Sequence, residues 1–487
     1  MKSVIPGSIV SLVLAALIAA CSTPPQTVSA DPHGPPEELD LAKPEEPEES
    51  EPVRELTGTQ AILTRIAAFL SQNDYDQAIA LFDEIEEPDR ESPGIQLLKA
   101  SALFSAGKFG ESRTVIQAIL SNDAENPDAL FVLSTIERAE GKTREQRQLL
   151  ERIIKNRPDH AEALTALGMI FLENRSFRNA ASYFDRALEA DPQNGDALVG
   201  RAGVYRYQRQ PQQAEVLLSR AIVLYPRWVT PLSDRARIYR EAGALPHALA
   251  DLDAAETIAP NNYWVLYDRG NIFLDMGKKP EALEEFQKAI SVGPDNFLAY
   301  VYSAGIKDDL GDYDGAEQDY RAVIRLNPAY YFAFEGLGML MMRRHAWSEA
   351  RAAFQEAYKG EAAAPQEKIS YALLAAANWM REGTLQAPKQ FLQTALRQVE
   401  RESLEWYVTR LYHDLSGDND VAIRIDKEKS LDTKQRMLFY LALYYDVRNN
   451  QILANRYYLQ VKEIGRPGTL EWRINEWTIQ ERNLNVD

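Results

Sequence analysis

Side chains able to attack, shuttle protons or bind metal are thinly spread in this sequence. Five histidines stand at His33, His160, His247, His345 and His413, none one helical turn from another and none beside a cysteine. HExxH is absent, so no metal centre is expected. GxGxxG, GxxxxGK followed by Ser or Thr, and GxSxG are also absent, which removes the usual phosphate cradles and the strained serine nucleophile. Carboxylates are plentiful, but abundance on helix faces does not make a glycosidase pair. The sequence therefore reads as a non-enzyme with no catalytic residues, no metal and no cofactor. A formal charge of -18 with no clustered cationic footprint speaks against a nucleic-acid partner. Cys21 is the single cysteine in 487 residues, so no intramolecular disulfide exists and this thiol must be explained alone.

Lys2 precedes an uncharged apolar run from Ile9 to Ala20, too short to span a bilayer comfortably. Its end, Ile18-Ala19-Ala20-Cys21, resembles a bacterial lipobox. That resemblance implies a signal peptide over 1–20 and a diacylglyceryl group on Cys21, which would tie the chain to a membrane through its acyl chains. Ser22, in place of Asp, resembles lipoproteins sorted to the outer membrane, with the body facing the periplasm or the cell surface. An ordinary signal peptide with an incidental cysteine and an uncleaved membrane helix are the alternatives. Residues 21–58 are rich in Pro, Glu and Ser, including Pro35, Pro36, Pro44, Pro47 and Pro52. Such a segment is expected to stay extended, and at about 3.1 Å per residue it would reach on the order of 100 Å.

Beyond this tether, prolines at 158, 192, 226, 260, 294 and 328 recur every 34 residues. With proline set as position 32, Gly168, Ala202, Ala236, Gly270, Ala304 and Gly338 share position 8. Ala180, Ala214, Ala248, Ala282, Ala316 and Ala350 share position 20, and alanines recur at position 27 except at Val323. Small residues at these places let helices approach closely, and Phe184, Phe286, Tyr320 and Phe354 at position 24 supply the bulk between them. The pattern resembles the tetratricopeptide repeat, which implies an all-α, right-handed superhelical solenoid of helix-turn-helix units. Nine in-frame repeats are expected over 59–364, followed by a C-terminal helical extension over 365–487 with degenerate restarts near 368 and 435.

Within that tail, the aromatic stretch from Trp406 to Leu415-Ser416-Gly417, then Phe439-Tyr440-Leu441, Tyr444-Tyr445, Ala454 and Glu471-x-Arg473, resembles NlpI-type outer-membrane lipoprotein adaptors. The resemblance implies helical repeats, a homodimer, and delivery of envelope proteases or peptidoglycan hydrolases to one another. The longer array and the acidic tether depart from that family and leave the partner's identity open.

With helix positions advancing 100° per residue, positions 2, 5, 9, 12 and 13 of each first helix share a side that stacked repeats turn toward their concave surface. Over the central repeats this side carries Arg206, Tyr207, Arg237, Arg240, Trp264, Tyr267 and Asn271, then changes sign at Asp308 and Asp309. Guanidinium groups beside aromatics suit an extended peptide or a helix. The bland alternative is a solvated face with local pairs such as Arg237 with Glu241. Arg201, Arg235 and Arg269 fall at position 7, where ion pairs within the repeat are expected. The expected function is a membrane-anchored scaffold docking envelope proteins. Support of a secretion or pilus system, and a small-ligand accessory of a transporter, stand beside it.

Overall fold

The computed structural model describes residues 58–484. The signal peptide, Cys21 and the tether up to residue 57 lie outside the described residues. Among the described residues the fold is all α, with 25 helices and no strand. Nine first helices run Thr59–Ser71, Pro93–Ser105, Pro127–Ala139, Ala161–Glu173, Gly195–Tyr207, Val229–Glu241, Tyr263–Asp275, Phe297–Leu310 and Tyr331–Arg343. These are α1, α3, α5, α7, α9, α11, α13, α15 and α17, and each starts 34 residues after the last. Their second helices are Tyr75–Ala80 (α2), Phe109–Asn122 (α4), Thr143–Asn156 (α6), Phe177–Ala190 (α8), Pro211–Leu224 (α10), Leu245–Ile258 (α12), Lys279–Val292 (α14), Tyr313–Leu326 (α16) and Trp347–Lys359 (α18). The short α2 continues as a tight turn over Leu81–Glu84. Seven more helices follow: Pro365–Arg381 (α19), Gln386–Leu396 (α20), Leu404–Asp414 (α21), Asp418–Lys427 (α22), Leu431–Val447 (α23), Gln451–Ile464 (α24) and Leu470–Glu481 (α25).

Local chemistry sets these boundaries. The residue before each repeated proline is pushed out of the helical region: Arg157, Asp191 and Ala259 sit at φ -129, -133 and -132 with ψ of 84, 96 and 81. Two residues after the proline, Asn194, Asn262 and Asn296 restart the helix, each side chain accepting a hydrogen bond from a backbone N–H of the first turn. Position 15, between the two helices, takes a positive φ in every repeat. It is glycine at 107, 141, 243, 277 and 311, but Asn73, Arg175, Arg209 and His345 also adopt it, at φ 60, 56, 58 and 57. A side chain there costs about 1 kcal/mol relative to glycine.

Packing explains the other repeated residues. The ring of Phe184 lies where a Cβ on Gly168 would meet it at 2.6 Å, and one on Gly200 of the next repeat at 2.4 Å. Phe286 holds Gly270 to glycine in the same way, and Phe354 holds Gly338. The position-24 ring thus bridges its own repeat to the next, and the small residues opposite are the space it fills.

The described chain forms two compact units, one up to Pro231 and one from Leu232. In the first, buried apolar residues form a series of small clusters, each shared by adjacent helices, such as Leu97 to Ile136, Leu130 to Ile170, and Leu164 to Val204. In the second, after a small cluster from Leu266 to Ile306, a single core runs from Ala304 to Ile479. The core is unbroken at 364/365, where the sequence suggests a boundary. Ala363 itself is buried at 7% exposure, although the slipped frame around it suggests a loose site.

Candidate partner-binding faces

In the first unit, the expected face carries acidic residues at position 2: Asp128, Glu162 and Asp196. Glu162 and Asp196 have basic neighbours within the unit. Glu162 meets His160 Nδ1 at 3.1 Å, which holds its carboxyl below the usual range. Burial pushes Asp196 up, with Arg138 opposing. Arg138 in turn pairs with Glu173 at 3.6 Å. At the C-terminal end of α9, Tyr207 is 56% exposed and stacks on Phe177, ring centroids 4.9 Å apart, with the Arg206 guanidinium 5.7 Å from the Tyr207 ring.

The second unit holds the remaining expected residues. Arg237 donates to Asp234 at 2.7 Å and lies 2.8 Å from Asp268 on the next first helix. Arg240 grips Asp275 through Nε and Nη2, at 2.5 and 3.3 Å. Both arginines therefore join successive repeats through aspartates. Burial raises the Asp268 carboxyl, and Arg237 opposes that rise. Arg237 is consequently tied into the contact between two repeats, as well as lying on the side expected to face partners.

Aromatic rings gather on the same face. Trp264, 46% exposed, stands edge-on to Tyr263 and Tyr267, at 5.0 and 5.8 Å. Tyr267 continues to Tyr302 and Phe286, and its hydroxyl is pushed up by burial and by its hydrogen bond with Tyr302. Asn271 is buried, and its amide donates to the Tyr267 carbonyl within the helix at 2.9 Å. It has no side chain to offer a partner, because α13 turns it into the repeat interior.

Asp308 and Asp309 are already occupied. Arg473 of α25 donates to Asp308 at 2.9 Å and reaches Asp309 at 4.0 Å, while Lys279 donates to Asp309 at 2.8 Å. Arg343 lies between the rings of Tyr313 and Trp477, 4.5 and 5.7 Å from their centroids. The C-terminal helix thus lies against α15 and α17 on the face that position counting assigns to partners. Sequence reasoning missed Arg473 in this role, and also Phe332, which is 46% exposed. Phe332 could have been found, since it occupies position 2 in the repeat frame, as Trp264 does. The position-7 arginines do pair: Arg235 with Asp251 in its own repeat, Arg201 with Asp185 of the repeat before, and Arg269 near both Asp253 and Glu285. No group of His, Cys, Asp or Glu able to hold a metal occurs among the described residues, and no described helix is long and apolar enough to cross a membrane.

Helix pairs in tandem, with paired charges and exposed aromatics on one side of the first helices, define a helical-repeat scaffold of the protein-interaction type. More particularly, the chain belongs to the tetratricopeptide-repeat family, whose models match residues 131–195, 165–227, 267–330 and 306–368, and 69–130, just over half of the chain together. No curated protein matches it in sequence. Among solved structures, it resembles PilF of Pseudomonas aeruginosa at 20% identity, with 44% of this chain and 98% of that one covered and a TM-score of 0.40. The Cut9-Hcn1 hetero-tetramer of APC/C aligns at 17% identity over 65% of this chain and 62% of that one, TM-score 0.49. PilW, a type IV pilus biogenesis factor, aligns at 20% identity over 41% and 93%, TM-score 0.38.

Proposed function

We propose that this protein is a lipid-anchored adaptor of the bacterial cell envelope that docks partner proteins, proteases or peptidoglycan hydrolases among them, on the first-helix face of its second unit. The observation that carries the docking half is Trp264. A tryptophan nearly half exposed and braced edge-on by Tyr263 and Tyr267, with Arg240 and Asp275 fixed on the neighbouring helix ends, has the composition of an interface hot spot. The anchoring half rests on Ile18-Ala19-Ala20-Cys21. Multiple acyl chains, at about 0.8 kcal/mol per buried CH₂, would hold the body at the outer membrane.

Two measurements test the two halves. Metabolic labelling with a fatty acid should mark the wild-type protein and leave Cys21→Ala unmarked; an unlabelled wild type or a labelled variant contradicts anchoring. Affinity capture from solubilised envelopes, quantified by mass spectrometry, should lose at least one partner with Trp264→Ala and keep it with Arg138→Glu. Retention of every partner by Trp264→Ala contradicts the docking face.

A further inference from the structure

A cavity of about 300 Å³ opens on the second unit, where α17 begins beside α15. Its walls are Val301, Tyr330, Phe332 and Met339, and Glu335 and Arg473 are the charged groups that line it. The floor exists because residue 336 is glycine: the Tyr320 ring comes within 2.4 Å of where a Cβ would stand. This volume sits at the small end of ligand pockets and suits one long side chain better than a whole cofactor.

The charges inside the cavity are unequally answered. Arg473 is held by Asp308, and Asp309 is shared between Arg473 and Lys279, so those cations are already offset. Glu335 accepts a hydrogen bond from the Tyr371 hydroxyl at 2.5 Å, and no cation lies within ion-pair distance of it among the described residues. Two further carboxylates nearby are also held by hydroxyl groups: Glu367 by Tyr331, and Glu471 by Ser370 and Tyr440. Burial pushes the Glu335 carboxyl up, and the charges of Glu471 and Glu367 add to this against the Tyr371 hydrogen bond and Arg473. Two rings, Tyr330 and Phe332, 5.7 Å apart and tilted by 55°, line the same cavity as the carboxylate. Aromatic rings and a carboxylate without a paired cation in one cavity attract a cation by both the ring quadrupole and the charge.

We propose that this cavity receives an arginine or lysine side chain from a segment of a partner protein, with its charge against Glu335 and its stem along Phe332 and Tyr330. The inference rests on the reading of the first-helix face as a docking surface and gives that surface a partner chemistry: a basic residue flanked by apolar ones. The net charge of -18 would draw such a segment from a distance.

The test titrates the full-length protein with a fluorescent, end-blocked pentapeptide carrying one arginine between leucines, read by anisotropy. The same peptide with glutamate in place of arginine is the comparison. The arginine probe is expected to bind and to weaken in high salt. Its affinity should drop at least tenfold with Glu335→Gln and several-fold with Phe332→Ala, while the glutamate probe stays unbound. Phe332 is exposed, so its variant should keep the melting midpoint of the wild type and separate lost recognition from lost fold. No binding of the arginine probe by the wild type, equal affinity for the two probes, or unchanged affinity in Glu335→Gln overturns the inference. Loss of the probe with Trp264→Ala but not with Glu335→Gln overturns it too, yet leaves the docking surface standing.

Discussion

The same helix position carries different chemistry in the two units. In the first unit position 2 is acidic in three consecutive repeats, Asp128, Glu162 and Asp196, with Gln60, Gly94 and Thr230 in the others; in the second it is Trp264, Leu298 and Phe332. In the first unit Glu162 and Asp196 have local basic neighbours, His160 and Arg138. In the second, Trp264 and Phe332 stay about half exposed. The cores differ in parallel: small clusters shared by neighbouring helices in the first unit, and one apolar body from Ala304 to Ile479 in the second. The repeat supplies a frame, and its variable positions decide where that frame meets something else.

The largest expected effect probes the cores. Phe184→Ala and Phe354→Ala each remove a fully buried bridging ring, and each should cost about 3–5 kcal/mol. Their reach should differ. Hydrogen exchange should rise for Phe184→Ala only in the helices around 161–207, whereas Phe354→Ala should deprotect helices throughout 304–479. Equal spread in both variants would break the contrast.

Next in size is Arg237. Removing it leaves Asp268 buried without its cation, so Arg237→Ala should cost roughly 2 kcal/mol, while Arg240→Ala, whose pair is exposed, should cost about 0.5 kcal/mol. The pH sign follows from Asp268. Its carboxyl already titrates above the usual range, and losing Arg237 raises it further. A carboxyl whose folded pKa exceeds its unfolded one gains relative stability as pH falls. The deficit of Arg237→Ala in thermal midpoint should therefore shrink on acidification, beginning above the ordinary aspartate range. A deficit that grows would contradict the pairing.

Ala282→Leu should cost about 1–3 kcal/mol by overpacking a fully buried helix contact. Ala363→Leu should cost less than about 1 kcal/mol, although Ala363 is also buried, because it lines a cavity of about 230 Å³ that can take the extra carbons. Equal losses of thermal midpoint would mean that the cavity does not yield. Smallest is a gain: Arg209→Gly relieves the positive φ at position 15 and should stabilise by about 0.5 kcal/mol, measurable in chemical denaturation, since the cost of glycine in the unfolded chain offsets part of the relief.

The fold was legible because its period is written in side chains that cannot be exchanged. Proline sets the helix ends, and Gly168, Gly270 and Gly338 mark rings packed where a Cβ would stand. Position 15 escaped notice because Arg175, Arg209 and His345 hide a backbone requirement that glycine states openly. The candidate site was legible only in part. Counting positions finds Trp264 and Tyr267, yet it cannot foresee that Arg473, 165 residues away, closes on Asp308. Nor can it foresee that Asn271 turns inward to its own helix backbone. Both follow from tertiary approach, which no 34-residue period encodes.

The central claim is that partners meet the aromatic face of the second unit and not the acidic face of the first. A photo-crosslinking residue placed at position 2 of each, replacing Trp264 or Phe332 in one set and Asp128 or Asp196 in the other, tests it in intact envelopes. Crosslinks to the same partner from 264 and 332, with none from 128 and 196, are the predicted result. A partner trapped from 128 or 196 with nothing from 264 and 332 would contradict it.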